Sequence, residues 1–250
     1  MTILHQTIPY DFTPRALPGI QPVTEPWLRV DEAYAGQMAR RCDLLGTRAD
    51  KVLYLEPQAH AAAVELLEVV LDLLPDLGFA QAGEGVTCPD GRHVTVGRAN
   101  PLETLGRLVQ CDFVLLDKRG AEHVLTGAVL CFPASWRLDE KAGRPLVAIH
   151  DPVASYDENI AKRVQRLFDG IQAGRPLWRF NALWYDDPEL HQPRSVTEPR
   201  HKREGAGYFR SERQTLIRLP HSGTVVFAIH TYVLRAEDVT RQAMSMTICG

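Results

Sequence analysis

Two stretches of this chain concentrate groups able to do chemistry. The first, VLTGAVLCFPASWRLDEKAGRPLVAIHDPV from Val124 to Val153, closes on an imidazole, His150. An extended Leu146–His150 places Leu146, Ala148 and His150 on one face. An imidazole beside a small alanine on an apolar face is a place to hold a flat cofactor, and equally an ordinary, partly buried histidine. The second stretch, Glu212-Arg213-Gln214-Thr215, is denser in polar groups than a core strand should be. Buried polar groups need partners, so these four either pair with one another or line a cavity.

The chain around them is 45% apolar and 24% charged over 250 residues, the balance of a soluble globular protein with a sizeable core. A net charge of −3 speaks against a general nucleic-acid binder, which carries a basic face. No apolar run is long enough for a membrane helix, and MTILHQTIPYDF lacks the pattern of a secretory signal. The cysteines, Cys42, Cys88, Cys111, Cys131 and Cys249, are odd in number and never spaced CxxC. That spacing argues against a zinc or iron–sulfur site and against a disulfide framework, and points to a reduced, cytoplasmic setting.

The elements that must position these groups read as follows. Val124–Phe132 is a buried strand ended by Pro133; Ser135 then caps two helical turns, Trp136–Ala142, stopped by Gly143. Helices are expected from Asp31 (Tyr34, Met38 and Cys42 on one stripe), from Pro57 (His60, Val64, Leu67, Leu71 and Leu74), from Asp157 (Ile160, Val164, Leu167, Phe168 and Ile171, ended by Gly174) and from Ala236. Strands are expected at His93–Val96 with His93 facing water, at Asp112–Leu116, and at Leu177–Tyr185 carrying Arg179 and Asn181. Glu212–Leu219 and Thr224–Tyr232 form a hairpin over Pro220–Gly223, and Lys118–Ala121 is a tight turn. Residues 1–26, with five prolines, make an arm, and residues 27–250 one domain. Because strands and helices do not alternate, the class is α+β: an antiparallel sheet with helices packed on one side. The loop Arg200-His201-Lys202-Arg203 suits docking of an acidic partner, or is simply solvated.

Several runs here are similar to a known family. Phe132-Pro133-Ala134-Ser135-Trp136, Gly143-Arg144-Pro145-Leu146, Ile149-His150-Asp151-Pro152-Val153, Arg179-Phe180-Asn181 and the run Arg210 to Pro220 resemble the alpha subunits of haem-dependent oxidative N-demethylases, of dimethylamine monooxygenase type. The resemblance spans roughly Trp27 to Val233. Two positions depart from it: Cys111 stands where the family commonly has an acid, and Ala182-Leu183 follow Asn181 where tryptophan is usual.

The resemblance implies a PAS-like sheet holding haem b, non-covalently because no CxxCH is present. On that footing His150 is the first choice of iron ligand and His230 the second; His123 and His221 at turns, and His191 and His201 in loops, have weaker cases. Arg179, Arg144 and Arg137 are candidates for the propionates, with Asn181 beside them. The implied reaction oxidises a small secondary methylamine with dioxygen and two electrons to a primary amine and formaldehyde. Glu212, oriented by Arg213, or Asp112, would hold the cationic amine or move a proton. No GxGxxG is present, so NAD(P)H and flavin would act through a partner reductase bearing flavin and iron–sulfur centres. An oligomer is compatible with all of this. A haem-binding or ligand-sensing domain without turnover, and a cofactor-free interaction protein, are the alternatives.

Overall fold

The computed structural model describes residues 3–13, 19–150, 158–198 and 205–249, with the side chains of 150, 158–162 and 245–249 outside that description. In chain order the elements are β1 (Gln21–Pro22), α1 (Tyr34–Thr47), α2 (Ala49–Val52), β2 (Leu53–Leu55), α3 (His60–Leu73), β3 (Ala80–Ala82), β4 (Gly85–Thr87), β5 (His93–Thr95), α4 (Pro101–Leu108), β6 (Asp112–Arg119), β7 (Glu122–Val129), α5 (Leu146–His150), α6 (Glu158–Gly170), β8 (Leu177–Tyr185), β9 (Tyr208–Arg218), β10 (Val225–Arg235) and α7 (Ala236–Cys249). The large sheet has the order β1-β8-β9-β10-β6-β7-β2, with every neighbouring pair antiparallel. β3, β4 and β5 make a small sheet at one side, where Val94 is buried and His93 exposed as its alternation requires.

Alternation along β6 shows how the sheet is covered. Phe113 and Leu115 enter one apolar cluster with Met38, Leu44 and Leu45 of α1, Leu66 and Leu67 of α3, and Leu102 and Leu105 of α4. Val114 and Leu116 point the other way, into a cluster with Leu146 and Ile149 of α5 and Phe168 of α6. Helices therefore pack on both faces, not on one. Each fully buried leucine contributes roughly 1.5–3 kcal/mol, so two such clusters suffice to hold the sheet between them. Arg218 locks α6 in place by donating to the carbonyls of Phe168 and Ile171, at its C-terminal end.

Four local expectations are corrected. Leu146–His150 is a short helix, because Ile149 donates to the carbonyl of Pro145 and proline suits the start of a turn. Leu146 and Ile149, three apart, pack onto the sheet, so 146, 148 and 150 share no face. Trp136–Ala142 forms turns: Ser135 has φ 64°, which is no cap conformation, and the Leu138 carbonyl accepts from both Lys141 and Ala142. The buried stripe of α3 is Ala63, Leu66, Leu67 and Val70, which leaves His60 at the rim. His123 lies buried within β7, bonded to Gln165 of α6. The Asp157 cap and the Arg200–Arg203 loop fall outside the described residues.

Residues 3–13 run against the end of β10. His5 donates its amide to the Val233 carbonyl, Ile8 exchanges two hydrogen bonds with Gln242, and the Tyr10 hydroxyl lies 2.8 Å from Ser211 Oγ.

Candidate functional site

Directly opposed residues in antiparallel strands share a face. Pairing of β8, β9 and β10 therefore stacks two polar rows on the face that α5 and α6 cover further along. One row is Asn181, Glu212 and Thr231; the next is Arg179, Gln214 and Ile229. Beyond them lies an apolar row, Leu177, Leu216 and Phe227. Arg210 stands on the other side of Glu212, at the same period of two.

Glu212 is 3% exposed. Its Oε2 accepts from Asn181 Nδ2 at 2.9 Å and Gln214 Nε2 at 3.1 Å; its Oε1 accepts from Arg210 Nη2 at 3.3 Å. Asn181 also accepts the Glu212 amide through Oδ1, so its amide group is fully committed to Glu212. Arg210 also donates from Nη2 to the carbonyl of Phe132 and from Nη1 to that of Leu190. A buried carboxylate so held is affordable only because the arginine and two amides replace its water.

Three buried polar atoms on this face have no partner among the described residues: Arg179 Nε, Arg210 Nε and Thr231 Oγ1. An orphaned buried donor or acceptor costs about 1–3 kcal/mol, and such atoms are rare in native proteins outside ligand sites. Arg179 makes no ion pair at all among these residues, and burial alone pushes its guanidinium down. A half-buried cation without an anion is half of an interaction.

The other residues expected at the site lie elsewhere. Arg213 does not orient Glu212, because adjacent strand residues point to opposite faces. It stacks over Trp178 at 4.9 Å and donates to Thr215 and to the carbonyl of Trp27. Asp112 is not free for proton work. It accepts from Arg41 at 2.6 Å and from the amides of Cys131 and Phe132 at 2.8 Å each. Cys111 offers its carbonyl to Arg41, while burial pushes its thiol up to about 12. Arg137 pairs with Asp139 at the surface; Arg144 is exposed. The His150 side chain falls outside the described residues.

His230 sits on the opposite face with His5, both donating from Nε2 to Asp31 Oδ2, at 2.7 and 3.1 Å. Burial alone would raise the Asp31 carboxyl, but these two bonds outweigh it and hold the carboxyl well below the usual range. The three side chains could surround an ion by distance. The Val233 amide donates to His5 Nδ1, however, which leaves the His5 proton on Nε2, where a metal would bind. The group is a hydrogen-bonded latch: both histidines spend Nε2 on Asp31, and Nδ1 of His230 is left without a partner among the described residues.

Arg210, Arg41 and Thr231 were missed by sequence reasoning. Arg210 was within reach: Arg210, Glu212 and Gln214 repeat at a period of two. A cleft of about 320 Å³ lined by Arg48, Lys51, Arg137 and Arg194 also touches Pro133 and His191, next in sequence to the carbonyls that Arg210 holds; another of about 520 Å³ lies beside Cys42 and Arg92.

The sheet thus carries a polar wall with unpartnered buried atoms beside an apolar row packed under α6. Residues 19–248 match a family model described as haem-dependent oxidative N-demethylase, alpha subunit-like, and the chain belongs to that family. Haem asks for cations or hydrogen-bond donors at its carboxylates, for an apolar contact and for a nitrogen or sulfur ligand to its iron. Arg179 and the Leu177–Leu216–Phe227 strip meet the first two.

Proposed function

We propose that this chain is the haem-carrying subunit of a monooxygenase that demethylates a small secondary amine, dimethylamine or a close relative. The observation that carries the reading is the trio of unpartnered buried polar atoms around Glu212, beside an apolar strip, in a chain of this family. In this reading the sheet is PAS-like and the haem is haem b, held non-covalently. Arg179 takes one propionate and Arg144, exposed next to α5, takes the other. His150 would supply a nitrogen ligand to the iron. When bound, haem supplies the centre at which dioxygen is reduced.

The chain's own residues do the rest. Glu212 holds the ammonium form of the amine and accepts its proton; Asn181 and Arg210 keep the carboxylate in place. The net change consumes the amine, dioxygen, two electrons and two protons, and gives primary amine, formaldehyde and water. A separate flavin and iron–sulfur reductase brings the electrons from NAD(P)H, in a reduced, cytoplasmic setting that suits the free thiols; the assembly is an oligomer of unlike subunits. No helix among the described residues is long and apolar enough to cross a membrane.

The test is the visible spectrum of the chain after haem reconstitution, with dimethylamine added, in wild type, His150→Ala and Glu212→Gln. A Soret band that changes in His150→Ala supports the ligand, and an amine-induced shift weakened tenfold or more in Glu212→Gln supports the carboxylate. No Soret band in the wild type sinks the proposal.

A further inference from the structure

We propose that Thr231 sets the selectivity of this site for secondary amines, an inference that rests on the amine reading above. Thr231 is 1% exposed and directly opposite Glu212 across β9 and β10, so both side chains face the wall. Its hydroxyl oxygen has no partner among the described residues. Glu212 is unevenly used: Oε2 has two donors, Oε1 only the long contact from Arg210. Two acceptors with spare capacity therefore stand side by side, one anionic and one neutral.

The number of N–H groups on an ammonium depends on its substitution. A secondary ammonium has two, a tertiary one, a quaternary none. A secondary ammonium can give one N–H to Glu212 Oε1 and the other to Thr231 Oγ1, and its two methyl groups are left for apolar surroundings. A tertiary ammonium satisfies Glu212 but gains nothing from Thr231, whose hydroxyl stays as unpartnered as in the free site, so the preference comes from the bond that only the secondary ammonium adds. The threonine hydroxyl accepts through a lone pair while its own proton rotates freely. The nearby Arg179 cation opposes binding of any ammonium until a carboxylate pairs with it, the role given above to a propionate.

The experiment is calorimetric titration of the haem-loaded full chain with dimethylamine and with trimethylamine, in wild type, Thr231→Val and Thr231→Ser. The wild type should bind dimethylamine about tenfold tighter than trimethylamine, the worth of one hydrogen bond to a charged group. Thr231→Val should lose about that factor for dimethylamine and keep the trimethylamine affinity, and Thr231→Ser should restore the preference. If Thr231→Val does not fold, Thr231→Ala replaces it. Equal losses for both amines, or an unchanged preference, overturn the assignment of Thr231 while leaving the amine reading intact. A haem-loaded wild type that binds neither amine overturns both.

Discussion

Arg41 donates to Asp112 across 2.6 Å with both side chains essentially sealed from solvent, 0% and 1% exposed. The arginine gives its remaining donors to the carbonyls of Gly106, Gln110 and Cys111. Removing one member of a buried pair leaves the other charge uncompensated, at about 3–5 kcal/mol. Asp112→Asn is therefore expected to lower the unfolding free energy by that amount, read from denaturant curves of haem-free protein, which marks it as a framework residue. A stability within about 1 kcal/mol of wild type would contradict the buried-pair account.

Acid should weaken the latch between His5, Asp31 and His230 in two stages. Burial holds the His230 pKa below the ordinary value against the pull of Asp31, and a second proton on its Nδ1 would find no acceptor. Above about pH 6.5 the folded and unfolded histidines are both neutral. Below it the unfolded chain takes the proton first, so stability falls with pH, by at most ~1.4 kcal/mol per unit. Asp31, held low in the fold, adds a further loss as pH drops through the ordinary carboxylate range. His230→Gln should flatten the first stage and shrink the second, because His230 is the stronger of the two groups that hold Asp31 low, read from urea midpoints between pH 7 and pH 3.

Arg179→Gln separates binding from folding. The arginine is half-buried and unpaired among the described residues, so its loss should leave the haem-free chain at least as stable as wild type. Haem dissociation, measured by transfer to an acceptor globin, should nevertheless accelerate by about tenfold, the loss of a charge-assisted pair. Equal haem retention would remove Arg179 from the cofactor's partners.

Gly106 of α4 is packed where a side chain has no room. An added Cβ would lie 2.8 Å from Val129 Cγ2 and 3.0 Å from Leu45 Cδ1. Alanine improves helix propensity by about 1 kcal/mol, against an overpacking penalty of about 1–3 kcal/mol. Gly106→Ala should therefore be net destabilising in a thermal melt, unlike most glycine-to-alanine changes inside helices.

What the sequence disclosed depended on range. The hairpin of β9 and β10, and β8 with Arg179 and Asn181, were legible because period-two alternation is a local signal. Alternation also held the answer to Glu212 and Arg213, since neighbours in a strand cannot share a face, yet four adjacent polar residues invited reading them as one network. Leu146–His150 misled because four apolar residues and a histidine carry no period, and only packing of Leu146 and Ile149 beneath the sheet chooses helix. His230 could not be placed at all without the fold: its partner, Asp31, is 199 positions away.

One turn joins the framework to the wall. The amides of Cys131 and Phe132 are gripped by Asp112, and the carbonyl of Phe132 is gripped by Arg210, which holds Glu212. Seen as inheritance, Arg41, Asp112, Arg210 and Glu212 behave as one trait written in four distant places. A change in the pair under the turn therefore reaches the acid above it through two backbone groups, so a substitution in α1 is felt by a strand it never touches.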